Sequence, residues 1–387
     1  MRLSWVSALS VSALLFAGCS AVPVATTTTN QTAGVPGAAI RGRVHGGQSP
    51  ISGAHVYLYA VNTTGYAGPG MPATTSNQAA SLLTKCDGSD SLAFYVTSGP
   101  DGSFSITGDY TCPTGTPDTY LLAVGGSPGG GTSNSAIVLI AGLTEKCTAT
   151  GFSSLYAVVN EVSTVAAAYA GAGFATDPTH VSSSSTALAT RGVDDAYGGL
   201  VNLETLSTGV AASTTPDGNG SAPNAEINTL GNILAACVNS TGPTSTECTT
   251  LFSNAKNGAV TPSDTGTAIL NIAHNPGANV ANLFALQTPS SPFQPDMPSI
   301  SDFSIAISFT GGGLNGPYGI AVNALDDILV TNFGGNSVSV FSPLGTPISG
   351  TGGITGNGLN EPFGIAIDGN GYVWGADYGV SALSSFS

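Results

Sequence analysis

The residues best suited to acid–base chemistry or metal binding are thinly spread along this chain. The four histidines are His45, His55, His180 and His274, and none lies near a pair of cysteines. A zinc site needs several such ligands at short spacing, and no Cys-x-x-Cys occurs, so zinc is not indicated. The sequence also lacks a Walker loop and a dinucleotide-binding glycine motif. We therefore expect no metal and no cofactor.

One pentapeptide, residues 125–129, matches the Gly-x-Ser-x-Gly pattern that surrounds the nucleophilic serine of many hydrolases. The catalytic version lies on a turn from strand to helix and uses the backbone N–H that follows the serine. Here Pro128 follows the serine and has no N–H, and the glycines at 129–131 do not begin a helix. We interpret this segment as a loop and predict no catalytic residue in it.

Two turns, at residues 217–220 and 368–371, have the sequence Asp-Gly-Asn-Gly, with which a calcium loop can begin. Such a loop ends on a bidentate acid at its twelfth position. Asn228 and Gly379 stand there instead, so neither loop has the required carboxylate. We interpret both segments as ordinary turns and predict no metal ligand in them.

The five cysteines beyond residue 20 are candidates for disulfides, because the chain has features of an exported protein. Cys237 and Cys248 flank a loop of Gly, Pro and Thr, and we expect them to pair and to join two helices. Cys112 with Cys147 is the second expected pair and leaves Cys86 free. A bond between Cys86 and Cys112 is the alternative.

Export is indicated by residues 1–19. Arg2 precedes an apolar stretch at residues 5–14, which is followed by Leu-Phe-Ala-Gly-Cys ending at Cys19. This order is typical of a signal peptide, and the apolar run is shorter than the ~20 residues that span a membrane. The last five residues resemble the bacterial lipobox, which implies a lipid anchor on Cys19 and, with Ser20 next, the outer membrane of a Gram-negative cell. An ordinary secretory signal is the alternative.

The composition agrees with a folded, exported protein. Charged residues make up 7% of the chain and hydrophobic residues 41%, which is not a disordered composition. The net charge is −15, and eight acidic residues but no Lys or Arg follow Lys256. Such a surface repels phosphate groups, so we expect no nucleic-acid partner. Residues 20–38 are polar without periodicity and are predicted to be a flexible linker.

Residues 39–147 are predicted to form a β-sandwich. Short runs with alternating apolar residues are separated by Gly, Pro and Asn, and Gly-Pro-Asp-Gly at 99–102 indicates a hairpin turn. Residues 40–44, 50–58 and 102–108 resemble the carboxypeptidase regulatory-like domain, in which Pro-[Ile/Val]-x-Gly-Ala-x-Val precedes an Asp-Gly-x-Phe hairpin. The resemblance implies a spacer or binding module without catalysis.

Residues 150–290 are predicted to form a small helical domain. Apolar side chains recur three and four residues apart over 161–170 and 225–238. Asp264 is placed to cap a further helix, which Asn-Pro-Gly at 275–277 ends. Another short helical segment is predicted at residues 280–284. Two polar loops are predicted at residues 179–190 and 213–223.

From residue 299 the pattern returns to strands and contains an internal repeat. Residues 313–322 recur as 358–367, and residues 327–332 recur as 372–377, at an offset of 45 residues. A period of this length with several short strands is typical of β-propeller blades. Residues 303–309 alternate and could form a preceding strand. The signature positions are Pro317, Gly319 and Asn332 in the first copy and Pro362, Gly364 and Asp377 in the second.

The repeats resemble the NHL repeat, which also occurs in the streptogramin B lyase family. The shared motif is Leu-Asn-x-Pro-x-Gly-Ile-Ala. We expect the prolines to stiffen the start of a strand and the glycines to allow close packing of strands. Such propellers have about six blades, whereas residues 299–387 hold one complete repeat and most of a second. We therefore expect that the chain is truncated or that another chain supplies the rest, and we favour truncation.

Together these segments resemble bacterial, acidobacterial-type NHL-repeat lipoproteins. The expected fold is multidomain and mainly β: a β-sandwich, a small helical domain and an incomplete β-propeller. The expected function is a non-enzymatic protein of the cell envelope, anchored through Cys19, whose repeats bind an unknown protein or glycan. One alternative is a propeller enzyme like the lyases, which use a histidine base and Mg²⁺, although no histidine lies within these repeats. A structural envelope protein is another.

Overall fold

The fold is known from a computed structural model. The predicted signal peptide and linker, together with Cys19 and Cys86, lie outside the described residues. Several mostly antiparallel sheets and a smaller number of helices make the described chain mainly β, as the sequence predicts. The structure describes residues 39–63, 79–84, 87–108, 110–112, 115, 117–148 and 151–387.

The first part of the chain forms two sheets. In one sheet β1 pairs antiparallel with β2 and β7 and parallel with β11, and β2 also pairs with β9. The other has the order β10-β8-β3-β6-β5, with β4 beside β3. The strands are β1 (Ile40–Gly46), β2 (Ser49–Ser52), β3 (His55–Ala60), β4 (Ala80–Ser81), β5 (Gly88–Ser89), β6 (Phe94–Thr97), β7 (Ser103–Ile106), β8 (Thr119–Val124), β9 (Ser127–Pro128), β10 (Val138–Leu143) and β11 (Leu155–Val159).

The second sheet is covered on both faces. On β3, Val56 and Leu58 share a core with the first sheet, whereas Tyr57 and Tyr59 share a core with the helices. A strand buried on both faces needs apolar residues at successive positions, because its side chains alternate between the faces. This explains the continuous apolar runs of β3, β8 and β10, whereas β1 alternates between buried and more exposed positions.

The turn at residues 99–102 forms, but not as a hairpin. The Gly102 N–H donates to the Gly99 carbonyl (2.9 Å), and Gly102 has the positive φ expected of it, 75°. However, β6 pairs with β3 in one sheet and β7 pairs with β1 in the other. The turn therefore connects the two sheets. Local residues determine turn geometry, whereas distant strands determine which neighbour each strand pairs with.

The helices after β11 include those predicted over 161–170, 225–238 and 280–284. Asp264 caps a helix as predicted, because its Oδ1 accepts from the Thr267 N–H (2.7 Å). None of the helices in the described ranges is both long and apolar enough to cross a bilayer. The helices are α1 (Glu161–Gly171), α2 (Ala187–Gly198), α3 (Asn224–Val238), α4 (Thr246–Asn254), α5 (Thr265–His274) and α6 (Val280–Phe284), and the short strands among them are β12 (Ala175–Asp177), β13 (His180–Val181), β14 (Glu204–Thr205), β15 (Val210–Ala211) and β16 (Gly220–Ser221).

The segment predicted to be helical over 150–290 contains strands as well as helices, because β11 to β16 all lie within it. Strand β11 lies within it and belongs to the first sheet, beside β1. Helix α2 begins inside the predicted polar loop at 179–190, where the Thr186 hydroxyl accepts from the Ala189 N–H (3.3 Å). Only Val193 and Tyr197 of α2 are buried, and they lie four residues apart on one face of the helix.

The two repeats form two sheets with the same antiparallel strand order. β18 to β21 make a four-stranded sheet, and β22 to β24 make a three-stranded sheet. Left-handed backbone positions also recur, as at Asp326 (φ 63°) and Gly371 (φ 86°). These two sheets do not close a ring. The strands are β17 (Ser308–Phe309), β18 (Pro317–Val322), β19 (Ile328–Asn332), β20 (Ser337–Phe341), β21 (Ile354–Thr355), β22 (Pro362–Ile367), β23 (Val373–Asp377) and β24 (Ala382–Phe386).

The strand predicted over residues 303–309 is reduced to β17, which pairs with β16. Phe303 is fully buried in the core of the helices, and its carbonyl accepts from the Tyr169 hydroxyl (2.6 Å). Ile305 and Ile307 also pack against the helical core, whereas the ring of Phe309 lies beside Gly345 of the first repeat. This segment attaches the repeats to the helical layer.

Candidate functional site

The signature residues Asn332 and Asp377 make equivalent hydrogen bonds in the two repeats. Asn332 Oδ1 accepts from the Asn315 N–H (3.0 Å), and Asp377 Oδ1 accepts from the Asn360 N–H (2.9 Å). Both side chains are buried. They tie the loop before the first strand to the third strand, so their role is to hold each sheet together. The partners on the third strands are Ser339 for Asn332 and Ser384 for Asp377.

The signature prolines begin the first strand of each sheet. Pro317 pairs with Asn332, and Pro362 pairs with Asp377, in the register of their strands. Proline lacks a backbone N–H and is tolerated at the first residue of a strand. The prolines therefore lie where the sequence predicts, at the start of a strand.

The signature glycines differ from each other. A Cβ on Gly319 would lie 2.7 Å from the Phe363 carbonyl oxygen, so glycine is required where β18 approaches the second sheet. Thr331 Oγ1 accepts from the Gly319 N–H (2.8 Å) and lies 3.2 Å from the same carbonyl. A Cβ on Gly364 would meet the Cβ of Ala376 at 3.7 Å, which is ordinary contact. Close packing therefore explains Gly319 but not Gly364.

Four aromatic side chains at equivalent positions of the two repeats form a continuous surface, which we call the aromatic patch. Tyr318 and Phe363 follow the signature prolines, and Phe333 and Tyr378 follow the buried Asn and Asp. The ring centroids of Tyr318 and Phe363 are 3.7 Å apart. Phe333 lies 6.4 Å from Tyr318, 6.5 Å from Phe363 and 6.1 Å from Tyr378. The rings therefore contact one another across both sheets.

The aromatic patch is open to solvent and held by the backbone. Tyr318 is 61% exposed, Phe363 43% and Tyr378 71%. The Phe333 N–H donates to the loop before β18 (2.9 Å), and the Tyr378 N–H donates to the Glu361 carbonyl (3.2 Å). Clustered exposed aromatics on a rigid scaffold are typical of interaction surfaces.

The sequence repeat relates the four residues of the patch to one another, although none of them was predicted as a site residue. Tyr318 and Phe363 lie inside the repeated decapeptide, and the same 45-residue offset relates Phe333 to Tyr378. The offset identifies the four residues as equivalent pairs. It does not show that they meet in space or face solvent, because that depends on how the two sheets lie beside each other.

The histidines do not assemble a site. His55 Nδ1 lies 3.1 Å from Asp90 Oδ2, and its ring stacks on Tyr95 at 3.6 Å. His180 Nδ1 lies 2.8 Å from Asp177 Oδ2 in a different part of the fold. Within the ranges that the structure covers, no three His, Cys, Asp or Glu side chains are grouped so that they could hold a metal ion.

The Gly-x-Ser-x-Gly segment at 125–129 forms the edge of a sheet, and the Asp-Gly-Asn-Gly segment at 368–371 forms a turn. Ser127–Pro128 is strand β9, which pairs with β2, and Gly126 before it has a φ of 98°. This is not a turn from strand to helix. Asp368 Oδ1 accepts from the N–H groups of Asn370 (2.8 Å) and Tyr372 (3.0 Å), which closes the turn predicted there.

Among the described residues, burial raises the pKa of three carboxyl groups to about 7 or 8. Neither oxygen of Glu204 has a hydrogen-bond partner among the described residues, and burial raises its pKa to about 8. Burial also raises the pKa of Glu161 to about 7, although the Gly47 N–H donates to it (2.9 Å). Burial raises the pKa of Asp118 to about 7 against the opposing effect of Lys146, 2.8 Å away. These groups make the stability of the fold depend on pH.

Two disulfides are present among the described residues, and they are the two pairs expected from the sequence. Cys112 is bonded to Cys147, and Cys237 is bonded to Cys248. The second bond joins α3 to α4, and both of its cysteines are fully buried. Disulfides of this kind agree with an oxidising compartment.

The chain was also compared with known proteins. No protein-family model matches it, and no curated protein is significantly similar to it.

Proposed function

We propose that this chain is an exported, lipid-anchored, non-enzymatic protein of the cell surface that binds a protein or a glycan through its repeats. In this proposal Cys19 carries the lipid, and the two N-terminal sheets form a carboxypeptidase regulatory-like β-sandwich that acts as a spacer. The repeats form part of an NHL-type β-propeller. The two sheets with one strand order and the internal repeat support this interpretation.

The exposed aromatic patch is the observation that carries the binding role. Aromatic residues are enriched at protein interfaces, where they supply large contact areas with little loss of side-chain freedom. Here four of them, from both repeats, contact one another at the surface. The patch contains no histidine, acid or thiol, so its chemistry is that of contact and not of proton transfer.

Arrays of defined peptides and defined oligosaccharides test the binding role directly. We expect the purified chain to be retained on a subset of positions, and the double variant Tyr318→Ala/Tyr378→Ala to lose roughly tenfold or more in affinity for them. Leu383→Ala, at an exposed leucine of β24 outside the patch, is the matched control and should bind as the wild type does. Equal retention of the double variant would show that the patch is not the binding surface.

Lipid attachment is tested at Cys19. In a Gram-negative host, we expect the wild-type chain to incorporate labelled palmitate and to sediment with membranes, because a lipobox cysteine carries acyl chains. The Cys19→Ala variant should lose the label and leave the membrane fraction. A variant that still sediments with membranes after a high-salt wash, without label, would contradict the anchor.

A further inference from the structure

The charge around the aromatic patch narrows the class of partner. Between residues 299 and 387 the chain has six Asp and Glu residues and no Lys, Arg or His. The whole chain carries a formal net charge of −15. Of those six acidic residues, Asp377 is buried and Asp326 pairs with Arg191 (3.5 Å). The negative charge that remains repels a second copy of the same chain and attracts a cationic partner.

Glu361 places a carboxyl group at the edge of the patch. It lies two residues before Phe363, and its carbonyl accepts from the Tyr378 N–H (3.2 Å). Its Oε2 lies 3.1 Å from the point where Gly379, the neighbour of Tyr378, would carry a Cβ. In the part of the chain that the structure describes, Glu361 makes no ion pair. Its charge is therefore available to a partner.

The backbone at Glu361 is unusual for a residue with a side chain. Its φ is 50°, in the left-handed region, and the equivalent residue of the first repeat is Gly316, with a φ of 65°. The Asn336 side chain holds this loop, because its Oδ1 accepts from the Glu361 N–H (2.6 Å). A side chain costs free energy where the other repeat uses glycine, and strain of this kind is concentrated at functional sites.

We propose that the aromatic patch and Glu361 together form a docking site for a basic polypeptide segment. An Arg or Lys side chain would lie over the exposed ring faces and pair with the carboxylate of Glu361. Aromatic rings attract cations through their negative faces, and the aliphatic stems of Arg and Lys cover apolar ring surface. This inference rests on the proposed binding function and names the class of partner.

The test titrates the full-length chain, purified in detergent, with a fluorescent peptide of repeating Gly-Arg units. The control peptide has citrulline in place of Arg, which keeps the shape and removes the charge. We expect the Arg peptide to bind at least about tenfold more tightly than the citrulline peptide. Equal binding of the two peptides would overturn the inference.

Variants separate docking at the patch from attraction to the overall charge. Tyr318→Leu/Tyr378→Leu keeps apolar bulk and should weaken binding of the Arg peptide by about fivefold or more. Glu361→Gln should weaken it by about two- to fivefold. Glu247→Gln, at an exposed position of α4, removes the same charge elsewhere and should leave binding unchanged. If Glu247→Gln weakens binding as much as Glu361→Gln does, the inference is overturned.

Two further measurements distinguish failure of the inference from failure of the proposed function. If neutral oligosaccharides bind, and the tyrosine variant abolishes that binding while the Arg peptide does not bind, the inference fails and the binding function stands. If sedimentation shows a dimer that the tyrosine variant dissociates, the patch is a self-association surface and the inference fails. If neither peptide nor oligosaccharide binds, both proposals fail.

Discussion

Asn332 and Asp377 occupy equivalent positions of the two repeats and make the same hydrogen bond with different side chains. Each uses Oδ1 to accept a backbone N–H, which an amide and a carboxylate do equally well. Each then contacts a serine, whose hydroxyl can accept from the amide of Asn332 or donate to the carboxylate of Asp377. Both positions follow from the sequence repeat, whereas the unpaired carboxyl of Glu204 is visible only in the structure.

Glu204 should make the stability of the fold fall as pH rises. Its pKa is raised from 4.5 to about 8 by burial, so between these values the folded chain keeps a proton that the unfolded chain has released. The free energy of unfolding therefore decreases by about 1.4 kcal/mol per pH unit for this group, from about pH 5 to pH 8. In Glu204→Gln this contribution to the slope should vanish, as measured by urea unfolding at several pH values.

The control for Glu204→Gln is Glu247→Gln, at an exposed position, which should leave the slope close to that of the wild type. Glu161 and Asp118 contribute in the same direction up to about pH 7, so some slope should remain in every variant. The comparison uses pH dependence and not stability at one pH, because a buried glutamine has its own cost. Parallel curves for Glu204→Gln and the wild type would contradict the prediction.

At the scale of elements, the sequence predicts a helix end or a turn correctly where the residues of that segment alone determine its conformation. Helix α5 begins where Asp264 predicts, because a cap acts within one turn. Strand β11 was not predicted, because its pairing with β1 joins residues more than a hundred positions apart. The same distinction applies to the turn at 99–102, whose geometry was predicted correctly and whose strand partners were not.

Gly319→Ala and Gly364→Ala form a matched pair for the packing of the two repeat sheets. A Cβ at 319 would lie 2.7 Å from a backbone oxygen, so we expect Gly319→Ala to lower the free energy of unfolding of the repeats by roughly 1–3 kcal/mol. Gly364→Ala should cost less than about 1 kcal/mol, because its Cβ would meet only an ordinary contact. Chemical unfolding followed by the fluorescence of Trp374 measures both, and equal costs would refute the difference in packing.

At the scale of the molecule, the first sheet, the second sheet and the helices form three layers, and a few long-range contacts link these layers to the repeats. The second sheet shares one core with the first sheet and another with the helices. Phe303 joins that helical core from the segment that leads into the repeats. Asn219, in the loop before β16, makes a second contact with the repeats, because its Nδ2 donates to the Gly345 carbonyl (2.8 Å). The regions predicted as separate domains are therefore in contact in this structure.

Phe303→Ala should destabilise the helical layer although it lies close to the repeats in sequence. The side chain is fully buried, and removal of a buried phenylalanine costs about 3–5 kcal/mol. Tyr378→Ala is the control, because that ring is 71% exposed and its loss should change stability little. Calorimetry of the full chain measures both, and an unchanged first transition in Phe303→Ala would contradict this role.

The sequence by itself determined the features that depend on neighbouring residues or on periodicity. These include the 45-residue repeat, the proline positions, the Asp264 cap and the Cys237–Cys248 pair. The sequence favoured Cys112–Cys147 but left Cys86–Cys112 as an alternative. The tertiary structure decided which features meet. It brought Tyr318 onto Phe363, made glycine necessary at 319 but not at 364, and placed Glu361 beside the aromatic patch. The reason is physical: caps, turns and periods are local, whereas exposure and contact between sheets depend on how distant segments pack.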